Sequence, residues 1–553
     1  VAVSPESPVW SARSGDPAAR HVMQVSPLQA GGLVAVFALG LIGFGFLDVV
    51  RASPAFQWSF LGPGAVLLVW NGILFGLAQR GGRIFRLGIS FRSQHCVQAV
   101  AQATFFIYWG WFWSPLYDSA FLIAAQLVFA YAFTMLLSWS RRDLFVLGLG
   151  PFPVIFSINL FLWFTDNWFY LQFLLVGVGF LAKEFLQWSK GGQRVHIFNP
   201  SSLPLAVFSV ALIATGTSDL TWGQDIATSQ FFPPHIYLVL FLVALPGQYL
   251  FGVASMTLSA VLATYLFGLA YFAATGVYFF YDSYIPIAVF LGMQLLFTDP
   301  STAPRTEVGR IIFGVLYGLS TVVLYALLSR LGLPPFYDKL LQVPVLNLSI
   351  QALDRVADSQ WLRGRVPSSR SWTAHVGGAS PRQRNLAYMV AWGAVFASMS
   401  AVQGIGDRHP GQWVPFWQEA CRDDRPGACR YLRDMHFRFC RNGSAWACNE
   451  AGLLHFVLAL EAEETPRFYR ADVVELLERS CGDGFAPGCQ NLTSLETGAE
   501  PRERASPTLH DYPIILRGTK GPLDDLSSAD LLAQACGQGW EGACEQLAES
   551  GGD

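Results

Sequence analysis

The chain has 553 residues, of which 52% are hydrophobic and 14% are charged, with a mean hydropathy of +0.37. Soluble globular proteins carry about 25% charged residues, so this composition predicts that much of the chain lies in an apolar solvent. The formal net charge of −3 argues against a nucleic-acid partner or any other strongly charged partner.

Apolar residues are concentrated in one part of the chain. A polar tail over residues 1–30 precedes a succession of apolar runs over 31–332, in which charged residues are sparse. Residues 410–550 are rich in arginine and acidic residues and contain eight of the nine cysteines. This shift predicts a polytopic membrane domain and a soluble domain, joined by a cytoplasmic or interfacial linker over 333–385 and a last transmembrane helix over 386–404.

The apolar runs have the length of membrane-spanning helices. We predict an all-α fold, in which a polytopic membrane helix bundle of about 10 to 12 spans, each of about 20 residues, precedes a soluble helical domain. The run at 202–217 is short and suits a broken or re-entrant helix. The candidate spans are 31–50, 60–79, 96–115, 117–139, 143–164, 166–188, 202–217, 235–252, 255–276, 284–298 and 309–331.

Lysine and arginine residues orient these spans, because they are enriched in cytoplasmic loops. Three basic loops fall on one side when the spans alternate, and this side is predicted to be cytoplasmic. The same count places residues 332–385 on the other side, although they contain seven lysines and arginines. We interpret this conflict as one miscounted span between 199 and 299, since 332–385 is too polar to span and suits an amphipathic segment along the interface. The basic loops contain Arg80, Arg83, Arg86 and Arg92, then Arg141 and Arg142, then Lys183, Lys190 and Arg194.

Two short motifs with the same pattern interrupt the apolar runs. They read NPSSLP at 199–204 and DPSTAP at 299–304. Asn and Asp favour the N-cap of a helix and Pro favours its first turn, so each motif is predicted to end one segment and begin another. Taken alone, each motif suits the end of one helix and the start of the next at the membrane interface. As a pair, they indicate an internal repeat whose broken helices build a ligand site, with exposed N–H groups that favour an anionic or electron-rich ligand.

The surroundings of both motifs resemble a known family. The stretches are KEFLQWSKGGQRVHIFNPSSLPLAVF, beginning at Lys183, and LFTDPSTAPRTEVGRIIFGVLYG, beginning at Leu296. They are similar to the membrane flavoprotein family that contains the D subunit of Rnf electron-transport complexes and the B subunit of the sodium-pumping NADH:quinone reductase. The resemblance covers about residues 80–332, with the motifs in the family's order.

The resemblance implies a core of two inverted five-helix repeats, which binds flavin inside the membrane and exchanges electrons with quinone or another carrier. It makes FMN or riboflavin, or a quinone, the expected ligand. Inversion would place the two motifs on opposite faces, with Asn199 inside and Asp299 outside. It would also make 332–385 cytoplasmic, which would remove the charge conflict. The candidate ligand-binding residues are His196, Asn199, Ser201, Asp299 and Thr302.

One feature of the family is missing. Its members that carry covalent FMN attach it to the Thr of a Ser-Gly-Ala-Thr-like motif on the outer side. This chain offers only WGQDIATSQ, in which Thr228 follows Ala227 and the glycine is absent. Thr228 is therefore a weak candidate for covalent attachment, and a non-covalent flavin or quinone site is the alternative. Cys96 is alone in the membrane part, so no iron–sulfur cluster or other metal is expected there.

The cysteines of the C-terminal part form four pairs, each with seven intervening residues. On a continuous helix such residues would lie about 12 Å apart, whereas a disulfide needs Cα atoms about 5.5 Å apart. Each gap contains glycine, so the pattern predicts a helix–turn–helix corner closed by a disulfide. Zinc binding and a reduced cytosolic array are the competing interpretations. The pairs are Cys421 with Cys429, Cys440 with Cys448, Cys481 with Cys489, and Cys536 with Cys544.

The context of these pairs resembles cysteine-rich Sel1-like repeats, which are related to tetratricopeptide repeats, over about residues 415–548. Such repeats stack into an α-solenoid that binds a protein or peptide. The resemblance implies a docking module for membrane or periplasmic partners. Disulfides suit an exported domain, so the module is predicted to be periplasmic and the rest to lie in a bacterial inner membrane.

Two hypotheses of function follow. In the first, the chain is an integral membrane subunit of an Rnf/Nqr-like electron-transport complex that binds flavin or quinone and docks a partner through its repeats. In the second, it is a non-redox transport or assembly protein on the same scaffold, with the repeats as an interaction module. The missing covalent-flavin motif favours the second, and the retained surroundings of both Asx-Pro motifs favour the first. Whether the chain is an enzyme stays open.

Overall fold

The chain is predominantly α-helical in a computed structural model, as predicted. The structure describes residues 22–190, 193–231, 233–357, 359, 380–406, 408–461, 466–516 and 526–550. Most of the polar tail 1–30 lies outside the described residues, and so do Arg363, Arg365 and Arg370 of the predicted basic linker.

Two long apolar helices and a small sheet open the described chain. The sheet has the order β1-β2-β3, antiparallel between β1 and β2 and parallel between β2 and β3. The strands precede α1 and follow α3 and α6, so these helix ends share one end of the molecule. We call it the arginine-rich end, because it carries Arg83, Arg141 and Arg142. The elements are β1 (Val22–Val25), α1 (Pro27–Phe44), α2 (Asp48–Arg51), α3 (Pro54–Gly81), β2 (Phe85–Ile89) and β3 (Leu144–Leu147).

Six helices, one of them only four residues long, and a hairpin form the next part of the bundle. The hairpin pairs β4 with β5 in antiparallel register, directly after α8. The predicted span 143–164 is not one helix, since it contains β3, a nine-residue helix and irregular chain. The elements are α4 (Ser93–Phe112), α5 (Pro115–Asp118), α6 (Ala120–Arg142), α7 (Pro151–Asn159), α8 (Tyr170–Phe185), β4 (Gln187–Lys190), β5 (Gln193–His196) and α9 (Ser202–Thr215).

A second set of five main helices follows, counted like the first set without its short helix (α5 in the first set, Gly223–Ser229 in the second). Its third helix is again short, and it continues into one π-helical turn at Gly292–Leu296. Short 3-10 turns lie at Asp166–Trp168, Ser218–Leu220, Pro300–Thr302, Pro335–Tyr337 and Pro410–Gln412. The helices are α10 (Gly223–Ser229), α11 (Ile236–Phe251), α12 (Ala254–Thr275), α13 (Ile287–Leu291), α14 (Glu307–Arg330) and α15 (Asp338–Ala357).

The two sets run in opposite directions. The hydroxyl of Tyr108, near the end of α4, donates to the carbonyl of Pro234, just before α11 begins. The start of α9 lies beside Asn347 in the middle of α15, whereas Ser218, after α9, contacts Tyr337 just before α15. The first helices of the two sets are therefore antiparallel, and so are the last.

Small residues bring α14 against α12. A Cβ atom added at Gly314 would collide with the backbone of Met256, and one added at Gly318 would collide with the carbonyl oxygen of Ala260. These glycines are four residues apart and thus lie on one helix face, where they allow the two backbones to approach. The contact also shows that α12 and α14 run in parallel.

Helix α15 occupies the stretch predicted to be an interfacial linker. It packs between α9 and α14, with Val343 and Ile350 completely buried. Its last turn returns to the start of α14, where Asp354 accepts the backbone N–H of Arg305. Residues 338–357 are thus part of the core, and their burial corrects the expectation of an amphipathic segment along the interface.

A further helix, α16 (Pro381–Ala401), lies against α11. Its Asn385 donates to the carbonyl of Gln248 near the end of α11, and Phe396 stacks on Phe241 with ring centroids 4.2 Å apart. The helix covers most of the predicted last span, 386–404.

Among the described residues, five helices are long and apolar enough to cross a membrane. Their composition fits a membrane protein. They are Pro27–Phe44, Pro54–Gly81, Pro115–Arg142 (which takes in the short α5), Ala254–Thr275 and Glu307–Arg330; three shorter apolar helices are Ser202–Thr215, Ile236–Phe251 and Ile287–Leu296.

The C-terminal part is a set of helices whose corners carry four disulfides. The four bonds join the predicted pairs, with Cα atoms 4.5 to 4.7 Å apart. Each bond links the end of one helix to the first turn of the next, as the spacing predicted. The helices are α17 (Val414–Arg422), α18 (Ala428–Arg441), α19 (Ala445–Glu461), α20 (Pro466–Gly482), α21 (Ala486–Glu496), α22 (Tyr512–Ile515), α23 (Ser528–Gly537) and α24 (Glu541–Ser550).

These helices do not stack in sequence order throughout. Trp540, between α23 and α24, packs on Trp446 of α19 with ring centroids 5.3 Å apart. Gly539 lies against Pro415 of α17. The last helical pair therefore folds back on the first helices of this part and does not extend the array beyond α21.

The C-terminal helices are attached to the end of the bundle opposite the arginine-rich end. Tyr281, in the loop after α12, stacks on Tyr431 of α18 with ring centroids 4.1 Å apart. The guanidinium of Arg425 donates to the carbonyl of Gly276 at 2.9 Å. Aromatic stacking and a charged hydrogen bond thus join the two parts at the far end of α12.

Candidate functional site

The two Asx-Pro motifs meet in the structure. The Nε2 atom of His196 lies 3.1 Å from Oδ2 of Asp299. The Asn199 amide donates to the carbonyl of Leu296 at 2.9 Å, and its backbone N–H donates to Asn347 at 3.1 Å. Asn347 in turn donates to the carbonyl of Thr302 at 3.4 Å, so α15 joins both motifs.

Both motifs lie at the arginine-rich end, which corrects the expectation that inversion places them on opposite faces. Lys183, in the last turn of α8, interacts electrostatically with Asp299. The neighbouring Glu184 pairs with Arg141 and Arg142. Helix α15 crosses the bundle once more, so its end lies at the arginine-rich end. This crossing resolves the conflict between the predicted outer side of 332–385 and its basic residues. The two motifs do not have to lie on opposite faces to explain it.

The two motifs also occupy different positions in the two helix sets. The motif at 299–304 lies between the third and fourth helices of its set, whereas the motif at 199–204 precedes the fifth helix of the other. The counterpart of Phe297-Thr298-Asp299 is Phe164-Thr165-Asp166, between α7 and α8. The sequence likeness of the two Asx-Pro motifs thus does not reflect equivalent places in a repeat.

The backbone N–H groups of both motifs are occupied by the chain itself. Oδ1 of Asn199 accepts the N–H groups of Ser201 and Ser202, at 2.9 and 3.3 Å, and the Ser201 hydroxyl at 2.7 Å. Oδ1 of Asp299 accepts the N–H of Ser301 at 2.9 Å, and the Thr302 hydroxyl donates to the Asp299 carbonyl. The expected exposed N–H groups are therefore not available, because Asn199 and Asp299 cap the turns that follow them. The Ser201 hydroxyl makes no capping bond and donates to Asn199.

Four titratable side chains remain at this place, and we call them the His196–Asp299 cluster. His95 begins α4, Lys183 ends α8, His196 ends β5 and Asp299 follows α13. The hairpin register places His196 opposite Gln187, next to the end of α8. The side chains of His196 and Asp299 are 15% and 19% exposed, so the pair is mostly enclosed but reachable.

The cluster combines a carboxylate with two imidazoles and an ammonium group. Histidine exchanges protons near neutral pH, and a carboxylate bonded to one ring nitrogen fixes which nitrogen carries the proton. The lysine supplies three N–H donors and a positive charge. Such a set can hold an electron-rich group, and it can move a proton between His196 and a bound molecule.

Thr228 lies far from this cluster. Its hydroxyl donates to the carbonyls of Gln224 and Asp225 in the preceding turn of α10. The first residue of α10, Gly223, packs against Phe336 at the opposite end of the bundle. The weak covalent-flavin candidate and the His196–Asp299 cluster therefore do not share a site.

Sequence reasoning missed two polar groups that the fold buries and one, His95, that it only half-buries. His95 and Asn347 were not considered, although each is a polar residue in or beside an apolar run. A buried amide group links Gln126, Asn159 and Gln172, with a 3.0 Å bond from Gln126 to Asn159. The available signal was the presence of amides inside runs long enough to span a bilayer, where unpaired polar groups are costly.

No protein-family model matches the sequence, and neither a curated protein nor a solved structure matches it. Among the described residues, no group of three or more His, Cys, Asp or Glu side chains is arranged to hold a metal ion.

Proposed function

We propose that the chain is an integral membrane subunit of an Rnf/Nqr-like electron-transport complex that binds flavin or quinone at the His196–Asp299 cluster. The observation that carries this proposal is the convergence of both Asx-Pro breaks on one partly enclosed pair of titratable side chains. Ionisable groups in the apolar part of a membrane protein are costly, and they commonly mark a functional site.

The arrangement of charge and disulfides supports a membrane location with a defined orientation. The arginine-rich end agrees with a cytoplasmic side, because basic residues accumulate there. The four disulfides lie at the other end, where a periplasmic location would preserve them. Two independent rules thus favour the same orientation in a bacterial inner membrane. Exposed apolar side chains such as Val36, Val66 and Ile107 suit contact with lipid.

The residues of the cluster suit the carbonyl edge of a flavin or quinone. Such a cofactor would supply the electron acceptor, whose carbonyl oxygens become more negative on reduction. The ammonium group of Lys183 would stabilise that negative charge, since charge-assisted hydrogen bonds are the stronger ones. His196, oriented by Asp299, would donate a proton to the reduced group or take one from it.

The alternative is a non-redox transport or assembly protein on the same scaffold. Its supporting observation is a buried amide pair, in which Gln248 of α11 donates to Gln294 in the π-helical turn at 2.5 Å. A π-helical turn frequently accompanies a functional site, and paired amides inside a bundle suit a neutral polar solute. The absence of the covalent-flavin motif is consistent with this alternative.

The visible spectrum of the detergent-purified full chain separates the two proposals. We expect absorbance near 450 nm with flavin fluorescence, a general property of oxidised flavin, or a quinone in the organic extract. Asp299→Asn should lower the bound amount without disturbing the fold, because Asn also caps a helix. Asp166→Asn is the matched control, since it alters the equivalent Phe-Thr-Asp motif at the opposite end.

Each result decides between the proposals. Loss of flavin or quinone in Asp299→Asn, with full occupancy in Asp166→Asn, supports the redox proposal. Protein that is folded but free of flavin and quinone, even when isolated in the presence of both, contradicts it and favours transport or assembly.

A further inference from the structure

A segment without regular secondary structure lies across the disulfide-bonded helices. It comprises residues 499–508, between α21 and α22, and we call it the strap. Five successive side chains, from Arg502 to Ser506, are exposed, although the backbone that carries them is held by side chains of α19 and α21. We call the residues beneath it the strap face: Trp446, Asn449, Glu450 and Asn491.

The strap face binds the backbone of the strap. Oδ1 of Asn491 accepts the N–H of Glu503 at 2.8 Å, and its Nδ2 donates to the carbonyl of the same residue at 2.7 Å. Asn449 donates to this carbonyl at 3.1 Å, and Trp446 donates to the carbonyl of Ala505 at 3.0 Å. Both asparagines are completely buried. Recognition through main-chain groups is how proteins bind extended peptides of varied sequence.

One side chain of the strap is recognised by its charge. Nη1 of Arg504 lies 3.0 Å from Oε2 of Glu450, whose side chain is 5% exposed while that of Arg504 is 58% exposed. Burial raises the pKa of Glu450, and Arg504 acts in the opposite direction. A segment without a basic residue here would leave this carboxylate buried and unpaired, which is costly.

Both ends of the strap are fixed independently of the strap face. At one end, α21 is tied to α20 by the disulfide between Cys481 and Cys489, and Gly498 turns the chain with φ +80°. At the other end, Asp511 accepts the Ser444 hydroxyl at 2.6 Å, which anchors the start of α22 to the start of α19. The strap can therefore leave its face while α22 and the last helical pair stay in place.

We propose that the strap is a resident occupant of a peptide-binding face, and that an extended segment of a partner protein takes its place. This inference rests on the docking role that the sequence resemblance predicts for the C-terminal helices. The partner segment would be clamped by Asn491 and Asn449 at one residue and would carry arginine or lysine at the next. Its side chains at the positions of Arg502, Glu503, Ala505 and Ser506 would be weakly selected, because those side chains of the strap are exposed. Pro501 and Pro507 are buried, so proline or another apolar residue is expected at these two positions.

The test uses the full chain in detergent with residues 500–507 replaced by a Gly-Ser sequence of equal length. The probe is a fluorescein-labelled peptide with the sequence of residues 498–510, GAEPRERASPTLH. We expect fluorescence anisotropy to show saturable binding to the replaced chain, and at least about tenfold weaker binding to the intact chain, where the strap competes.

Two further comparisons identify the contacts. Asn491→Ala in the replaced chain should weaken peptide binding about tenfold or more, because two backbone hydrogen bonds are lost. Gln490→Ala is the matched control, since the neighbouring Gln490 side chain is exposed, and it should leave binding unchanged. A probe with Arg504→Glu should not bind, because it would oppose Glu450.

The outcomes that contradict the proposal are distinct. If the replaced chain is folded, with eight blocked cysteines, and does not bind the peptide, the face is not a peptide site. If equal binding occurs with the intact chain, the strap is not a competitor. If replacement unfolds the domain, the strap is a structural element and the proposal fails.

Hydrogen exchange of the unaltered chain gives a second measurement. A removable strap predicts that the Glu503 amide exchanges at least about tenfold faster than amides in the middle of α19. Equal protection would make the strap an integral part of the domain. The absorption spectrum of the same sample reports the redox proposal separately, so failure of one is distinguishable from failure of the other.

Discussion

Asp354 in the last turn of α15 accepts hydrogen bonds from both the N–H and the hydroxyl of Thr306, at 3.1 and 3.0 Å. Thr306 is the N-cap of α14, so the two helices are joined where one begins and the other ends. Since α14 and α15 are consecutive, the chain leaves this end and returns to it. This contact therefore places the start of α14 and the end of α15 at the same end of the bundle.

The first prediction concerns this sidedness. Arg330 lies at the far end of α14 and Arg355 at the near end of α15, and both are exposed. In the Cys96→Ser background, we expect a membrane-impermeant maleimide to label Arg330→Cys in intact spheroplasts and to label Arg355→Cys only after lysis. Labelling of both from outside would mean that α15 does not cross the bundle.

The second prediction tests the close approach of α12 and α14. Gly314→Leu should lower the melting temperature of the detergent-purified chain or abolish its folding, because the side chain would collide with Met256 and Ser259. Overpacking of this kind costs about 1–3 kcal/mol. Gly393→Leu in α16 is the matched control, since a Cβ atom there meets nothing within 4 Å. Equal losses in both variants would rule out specific packing at Gly314.

The third prediction is a pH dependence of the C-terminal helices. His436 is buried against Trp446, and burial, aided by Arg504, lowers its pKa to about 3. A histidine kept neutral in the folded state stabilises the fold above its unfolded pKa of about 6.5, and this stability is lost as the pH falls toward 3. In unfolding followed by tryptophan fluorescence, His436 should contribute a loss of about 1.4 kcal/mol per pH unit below about pH 6, in addition to the loss from other buried histidines.

The control for this titration is a second histidine. His436→Phe should reduce the slope between pH 6 and 4 by about 1.4 kcal/mol per pH unit, because it removes one buried titrating group and leaves the others. His510→Phe should leave it unchanged, since His510 is exposed. An unaltered slope in His436→Phe would assign the titration to other groups, such as His409, whose pKa is also lowered to about 3 by burial.

The fourth prediction concerns the cysteines. Without reductant, a maleimide should label Cys96, which is free and exposed, and leave the eight cysteines of the C-terminal helices unlabelled. Removing one bond by Cys440→Ser with Cys448→Ser should lower the free energy of unfolding by about 2.5 kcal/mol, as expected for a short loop. Nine reactive thiols in protein isolated without reductant would overturn the exported placement.

The sequence predicted the features that depend on local geometry. The helix–turn–helix corners at Cys421 and Cys440 were predictable, because two cysteines with seven residues between them lie too far apart on a straight helix to form a disulfide. The Asx-Pro breaks were predictable from helix capping, and the structure shows that they meet. Their assignment to equivalent repeat positions was wrong, because Phe164-Thr165-Asp166 lacks the proline that made the other motif conspicuous.

Helix α15 could not be predicted from hydropathy. Its first turn contains Asp338 and Lys339, whose charges lower the apolar score of the segment, yet both side chains are buried against neighbouring helices. A hydropathy scale counts each charge as exposed to lipid, whereas these two charges pair with each other. The burial of this adjacent pair against neighbouring helices is decided by the tertiary fold, so a hydropathy window along the sequence cannot detect it.

The fifth prediction tests that pair. The Lys339 ammonium lies 3.1 Å from Oδ1 of Asp338, and the side chains are 5% and 2% exposed. Either Asp338→Asn or Lys339→Met should destabilise the detergent-purified chain by about 3–5 kcal/mol, because each leaves an unpaired buried charge. The double variant should be close to the original chain, since it removes both charges. The control is the Arg433–Asp434 pair, which is also adjacent in sequence but has side chains that are 24% and 57% exposed, and Asp434→Asn should cost less than about 1 kcal/mol. Additive losses in the double variant would show that the two buried groups do not stabilise each other and that each has a separate partner in α15's surroundings.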